Sequence, residues 1–136
     1  MYTVPVEIHE SSIEGKGVFA KNSIPKGMIV WQYTEGHDKK ITREEFDGLD
    51  ETTKTALQRV AYLSPTTKMW VIPPDDDTAC YTNHDPNDFN TSVSFEPEIS
   101  EEPLFRANRN INAGEEITNN YVDFDENSTP DKFNWL

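Results

Sequence analysis

The amino-acid sequence predicts a β-rich α+β domain. Short stretches of β-branched and aromatic residues recur along the chain, and turns rich in Gly, Pro, Asn and Asp separate them. Only residues 42–61 carry clear helix signals. A chain of 136 residues is long enough for one buried core and too short for two domains. We therefore expect several small sheets with one short helical insert.

Two strands are predicted in the first quarter of the chain. Residues 3–8 place Val4, Val6 and Ile8 on one face, and residues 28–33 form an apolar run that follows a Pro-Lys-Gly turn. Between them, Gly15 and Gly17 flank a lysine. Such a pair either makes a tight turn or lets the backbone approach a ligand closely, and the sequence leaves both open.

The helical insert begins at a capping box. Thr42 is the predicted N-cap and Glu45 the residue that reaches back to it, so a short helix starts at residue 43 and ends near Gly48. A second helix is predicted from about residue 51. Its apolar stripe, which we expect to cover one side of a sheet, consists of Leu57, Val60 and Ala61.

Three further strands are predicted in the second half, at residues 69–72, 91–95 and 104–107. The most acidic loop, residues 73–77, precedes His84 and raises the question of a metal. A hard-cation site needs alternating oxygen ligands around a sharp glycine turn, and the loop has neither. We therefore expect a solvated loop and no metal.

Charge and composition narrow the class of partner. The net charge is −13, and there is no Lys/Arg cluster beyond Lys39-Lys40, so direct nucleic-acid binding is not expected. An acidic surface favours basic partners or simply keeps the protein soluble. The single cysteine, Cys80, excludes an intrachain disulfide and a cysteine-built zinc site. No apolar run is long enough to span a membrane and no signal peptide is recognisable, so we expect a soluble intracellular protein, nuclear or cytoplasmic.

Residues 80–90, CYTNHDPNDFN, are the densest polar stretch of the chain. Three Asn, a His and a Tyr make a poor helix, because Asn side chains compete for the backbone. The stretch is either an ordinary Asn/Asp/Pro turn or a wall that offers amide donors and acceptors to a polar ligand.

The order of the motifs resembles the SET-domain protein lysine methyltransferases. The resemblance covers residues 4–124, and the pieces that carry it are 15–20 (GKGVFA), 24–29 (IPKGMI), 32–36 (QYTEG), Asn83-His84, 105–111 (FRANRNI) and 113–121 (AGEEITNNY). It implies a SET-like β-clip in which the Asn83-His84 segment and the segment ending at Tyr121 thread together as a pseudoknot. Residues 1–124 would form this domain and 125–136 a tail.

The resemblance also implies an activity. It predicts methyl transfer from S-adenosylmethionine to a lysine of a basic protein or peptide, such as a histone or ribosomal tail. The alternative is a non-catalytic interaction module that keeps the fold and perhaps the cofactor pocket. Neither the target lysine, the number of methyl groups, nor the oligomeric state follows from the sequence.

The family's functional residues carry over to named positions. Tyr121 is expected at the methyl-transfer channel, with Tyr33 a second catalytic candidate. The expected cofactor-binding residues are Lys16, Gly17, Tyr81, Asn83, His84, Tyr121 and Trp135. Trp135 enters because the cysteine-rich flanking modules of many relatives are absent, which leaves Phe133 and Trp135 to close the pocket. The sequence departs from the family after His84, where an insertion would place Asn90 on the second family Asn, and at Asn119 and Asn120.

Overall fold

The computed structural model describes residues 1–127, which form ten short strands, two α-helices and two 3₁₀ helices. The strands are β1 (Val6–Glu10), β2 (Lys16–Ala20), β3 (Ile29–Trp31), β4 (Lys39–Ile41), β5 (Tyr62–Leu63), β6 (Trp70–Ile72), β7 (Asn83–His84), β8 (Thr91–Ser94), β9 (Leu104–Ala107) and β10 (Glu116–Asn119). The helices are α1 (Arg43–Asp47) and α2 (Glu51–Gln58), with 3₁₀ helices at Thr78–Tyr81 and Tyr121–Asp123. The predicted fold class, mostly β with a short helical insert, is confirmed.

One sheet joins the two ends of the described chain. Its strand order is β1-β2-β10-β7. β10 pairs antiparallel with β2 on one side and parallel with β7 on the other, so the last strand lies between two much earlier ones. Long-range pairing of this kind brings residues that are over a hundred positions apart into one layer.

The remaining strands form two three-stranded sheets, ordered β3-β9-β8 and β4-β6-β5. The helical insert lies between β4 and β5 in sequence. α1 has the predicted capping box, with the Thr42 hydroxyl accepting from the Glu45 backbone N–H at 3.0 Å and the Glu45 carboxylate accepting from the Thr42 N–H at 3.1 Å. At the start of α2, the Asp50 carboxylate accepts from the Thr53 N–H at 2.7 Å.

Two apolar clusters hold the sheets together. The larger one fills the space between the sheets with residues such as Val18, Val30, Phe105 and Ile117. The smaller one lies under the helical insert, where the rings of Phe46 and Trp70 stack with centroids 4.1 Å apart. Burying a side chain of this size stabilises the fold by roughly 1.5–3 kcal/mol.

The structure differs from the sequence prediction at several boundaries. β1 begins at Val6, because Pro5 has no N–H for a ladder, and residues 2–3 pair with β3 instead. α2 ends at Gln58, so Val60 and Ala61 lie beyond the helix. β4, β5 and β7 were not predicted as strands. A strand of two or three residues is too short to show an alternation of apolar and polar side chains. Such strands form because neighbouring strands pair with them.

Among the helices of residues 1–127, none is both long and apolar enough to cross a bilayer.

Candidate active site

The two segments that the motifs single out meet in the structure. β7 runs parallel to β10, with Asn83 opposite Thr118 and His84 opposite Asn119. Just beyond β10, the backbone N–H of Tyr121 donates to Nδ1 of His84 at 3.0 Å, and the two rings lie 5.0 Å apart. We call β7, β10 and the adjoining Tyr121 the crossing. It joins residues separated by 37 positions in the chain.

His84 has a role that the sequence did not indicate. The resemblance implied only that it binds the cofactor, whereas its buried imidazole also accepts the Tyr121 N–H. Nδ1 can accept only when it carries no proton, so the ring is neutral with its hydrogen on Nε2. Burial lowers the pKa of His84, opposed by the negative charges of Asp85 and Asp123.

Tyr121 is held at both ends. Its hydroxyl donates to the carbonyl oxygen of Thr82, the residue directly before Asn83. Burial raises the pKa of the Tyr121 phenol, so the hydroxyl keeps its proton at neutral pH. The 3₁₀ helix that starts at Tyr121 is capped by Asn120, whose side-chain oxygen accepts from the Val122 N–H. Asn120 thus retains a capping acceptor at the position where the family usually has Asp.

Asn83 is oriented by a carboxylate. Its amide nitrogen lies 2.8 Å from Oε2 of Glu116, 3.1 Å from the Lys16 carbonyl and 3.2 Å from the Glu14 carbonyl. Ser11 donates to the other carboxylate oxygen of Glu116 at 2.7 Å. With the nitrogen turned toward Glu116, the side-chain oxygen of Asn83 points the opposite way along the amide.

Gly17 is required by the same contact. A Cβ added at this position would lie 2.2 Å from Oε2 of Glu116 and 3.2 Å from the Asn83 amide nitrogen. The glycine therefore leaves room for the Glu116 carboxylate beside Asn83 at the crossing, and its approach to a ligand stays a prediction. Gly15, with φ +45°, makes the turn before β2. Sequence reasoning missed Glu116 and Ser11, because a Glu-Glu pair does not say which member faces inward.

The side chain of Asn90 also hydrogen-bonds to the backbone of β10. It is 1% exposed, its side-chain oxygen accepts from the Thr118 N–H at 2.9 Å, and its amide donates to the Glu116 carbonyl at 2.7 Å. The neighbouring Thr91 hydroxyl donates to the Thr118 carbonyl at 2.7 Å. The backbone of β10 thus bonds to strands on two sides and to side chains from residues 90–91.

A cavity of about 730 Å³ opens beside the crossing. Five of the expected site residues lie on its wall: Lys16, Tyr81, Asn83, His84 and Tyr121. The remaining wall is strongly aromatic, with Tyr2, Trp31, Tyr62, Phe105 and Phe124. The residues after α2 contribute to it as well, including Arg59. A half-enclosed space of this size, lined by both aromatic and polar side chains, is typical of a small-molecule site.

A family model described as the SET domain matches residues 15–122. The chain belongs to the SET-domain family. The matched range contains β2, the helical insert, the whole crossing and the polar contacts to Asn83 except that of the Glu14 carbonyl. Among curated protein sequences, no match is found.

Solved structures with the same fold include known SET assemblies. A Plasmodium falciparum protein named for a proposed histone methyltransferase activity superimposes with a TM-score of 0.59 at 20% identity, over 88% of this chain and 94% of that chain. A chain of the Chaetomium thermophilum Polycomb Repressive Complex 2 bound to GSK126 gives 0.68 at 26% identity. An apo form of that complex in an autoinhibited state gives 0.68 at 25%. The two matches cover 91% and 90% of this SET domain. In each case the matched part is 16% of the length of the Chaetomium chain.

Tyr33, the second catalytic candidate, lies apart from the cavity that Asn83, His84 and Tyr121 line. Its hydroxyl donates to the Asp38 carbonyl at 3.4 Å, and the Lys40 ammonium lies 4.5 Å from the centre of its ring. Within residues 1–127 the SET domain does not bring Tyr33 into the cavity. Its catalytic role stays a prediction that the geometry does not support.

The remaining sequence predictions concern the tail and metal binding. Trp135 and Phe133 lie outside the described residues. The start of the tail is described: Asp125 is buried and accepts from the Leu63 N–H at 2.8 Å, and it also lines the cavity. In residues 1–127, no group of three or more His, Cys, Asp or Glu side chains is arranged to hold a metal ion.

Proposed function

We propose that this SET domain transfers a methyl group from S-adenosylmethionine to the ε-amine of a lysine in a basic protein or peptide. The observation that carries the proposal is that Asn83, His84 and Tyr121 line one cavity together with further aromatic side chains. Family membership and the histone methyltransferase named among similar structures support the same class of reaction.

The polar side of the cavity fits the cofactor. A Glu116-oriented Asn83 and the carbonyls of Glu14 and Lys16 provide acceptors for an amino-acid moiety with an ammonium group. Tyr81 and His84 supply flat surfaces for a purine. When bound, S-adenosylmethionine supplies a sulfonium methyl whose C–S bond breaks, leaving a thioether, as the lysine nitrogen forms the new C–N bond.

The aromatic side fits a lysine. An apolar surrounding lowers the pKa of an amine by desolvation, so the neutral nucleophile becomes available near neutral pH. Aromatic faces also tolerate the cationic product. The Tyr121 hydroxyl commits its hydrogen to the Thr82 carbonyl, and a hydroxyl that donates in this way still has oxygen lone pairs with which to accept. Catalysis would then consist mainly of placing amine and methyl in line.

The net charge of −13 supports a basic partner, because opposite charge increases the rate of encounter. Histone-like and ribosomal tails both have this property. Trp135 remains a proposed additional contact to the cofactor from the tail.

The proposal is tested with labelled S-adenosylmethionine and a panel of basic proteins, including histones and ribosomal proteins. We expect label on lysine, located by mass spectrometry. Calorimetry with the cofactor is run in parallel. Saturable binding without transfer to any protein would favour an interaction module that retains the pocket, and the absence of both would contradict the proposal.

A further inference from the structure

Tyr2 contributes to the cavity from outside the residues that match the family model. Its hydroxyl lies 2.6 Å from the Oγ1 atom of Thr82, and its ring is part of the wall. The backbone on both sides fixes its place: the Gln32 N–H donates to the Met1 carbonyl at 3.1 Å, and the Thr3 N–H donates to the Val30 carbonyl at 2.8 Å. Backbone hydrogen bonds on both sides therefore hold Tyr2 in place at the site.

Thr82 connects Tyr2 to Tyr121. It is buried, its side-chain hydroxyl bonds to Tyr2, and its carbonyl accepts from the Tyr121 hydroxyl. The next residue is Asn83. One short stretch of backbone thus sets both the direction of the Tyr121 hydroxyl and the start of the polar wall.

We propose that Tyr2 is a positioning residue for methyl transfer, which anchors Thr82 so that its carbonyl holds the Tyr121 hydroxyl toward the reacting amine. This inference rests on the proposed function and adds to it a residue from outside the family match.

The physical reason is the geometry of the connection. The peptide that carries the Thr82 carbonyl can tilt about its neighbouring φ and ψ angles, and the only strand next to it, β7, is two residues long. A hydrogen bond from the side chain of the same residue to a fixed phenol opposes that tilt. In an active site, small changes in the direction of a hydroxyl have large effects on rate. Burial also raises the pKa of the Tyr2 phenol, so it remains a neutral hydroxyl.

The experiment removes the Tyr2–Thr82 bond from either side. Tyr2→Phe keeps the ring, and Thr82→Val keeps the carbonyl and the approximate shape. The matched control is Thr3→Val, which removes a hydroxyl bond of the same segment to the Ile29 carbonyl at an exposed position. Each variant, the double variant Tyr2→Phe/Thr82→Val and the wild type are compared for kcat, KM, cofactor affinity and Tm.

We expect Tyr2→Phe and Thr82→Val each to lower kcat by about tenfold, with KM for the peptide and cofactor affinity within about twofold of wild type. The double variant should be no slower than the slower single variant, because both changes remove one bond. Thr3→Val should keep kcat within about twofold.

Three results would overturn the inference. The first is an unchanged kcat in Tyr2→Phe. The second is an equal loss of kcat in Thr3→Val, which would mean that residues 1–3 act only by being attached to the rest of the protein. The third is an additive loss in the double variant. An active wild type with unaffected variants contradicts this inference alone, whereas an inactive wild type contradicts the proposed function as well.

Discussion

The crossing and the turn between β3 and β4 each hold one of the two tyrosines that the sequence nominated for catalysis, and they differ in every contact. At the crossing, Tyr121 donates its hydroxyl to Thr82 and its backbone N–H to His84, and it faces the cavity. At the turn, the Tyr33 hydroxyl makes a long 3.4 Å bond to the Asp38 carbonyl five residues away.

The turn is organised for its own stability. Asp38 is buried, and its Oδ2 accepts from the Thr34 N–H at 2.8 Å, which closes the loop. Beyond it, Lys40 reaches the buried Glu102 at 3.1 Å, and Glu102 also accepts from the Thr67 hydroxyl. These groups bond to one another, and none of them lines the cavity. A tyrosine becomes a catalytic candidate when distant segments direct polar groups at one cavity, and the groups around Tyr33 do not do so.

Replacing Tyr121 with Phe is expected to have the largest effect. The ring would remain, but the hydroxyl that we propose to face the reacting atoms would be lost. We expect methyl transfer to fall by roughly 100-fold or more, the size typical for one preorganised polar group in an active site. The lost bond to Thr82 should cost about 1 kcal/mol of unfolding free energy. The rate is measured with labelled cofactor well below Tm; a rate within tenfold of wild type would contradict the assignment.

Replacing Asn83 with Ala is expected to weaken cofactor binding by roughly tenfold or more, because it removes the oriented amide and leaves the Glu116 carboxylate without it. Calorimetry with S-adenosylmethionine measures the affinity. The matched control is Asn108→Ala, since Asn108 also bridges two partners, the Phe89 carbonyl and the Ser92 hydroxyl, but lies outside the cavity wall. Equal losses in both variants would mean that Asn83 acts only through stability.

The His84 imidazole should make the stability of the crossing depend on pH. Its pKa is lowered in the folded state, so the unfolded chain binds the proton more readily between that pKa and about 6.5. The contribution of His84 to stability is present above pH 6.5 and is lost as the pH falls through the folded pKa. His84→Asn, which keeps an acceptor for the Tyr121 N–H, should remove this part of the dependence. Denaturant unfolding from pH 7.5 to 5 tests it, and an unaltered profile in the variant would speak against the assigned ring state.

Replacing Tyr33 with Phe should have the smallest effect. Only the 3.4 Å bond to Asp38 is lost, so we expect methyl transfer and cofactor affinity within about twofold of wild type. A loss comparable with that of Tyr121→Phe would restore Tyr33 to the catalytic set and would show that the turn moves into the cavity during the reaction.

The sequence predicted what depends on local chemistry and motif order. The capping box at Thr42 and the strand at Leu104–Ala107 appear as expected, since each is encoded by adjacent residues. β7 could not be predicted, because two residues form a strand only when β10 arrives beside them. The roles of Glu116 and Tyr2 were missed for a related reason. The contacts that define the roles of Glu116 and Tyr2 are made with residues about 30 to 100 positions away, so the adjacent sequence does not reveal them.

The most direct test of the account is a crystal structure with S-adenosylhomocysteine bound. We predict the amino-acid end of the ligand against Asn83 and Lys16, its purine beside His84, and its sulfur directed at the aromatic side of the cavity near the Tyr121 hydroxyl. A ligand bound elsewhere, or one that leaves Asn83 and Tyr121 without contact to it, would contradict the claim that the crossing is the active site.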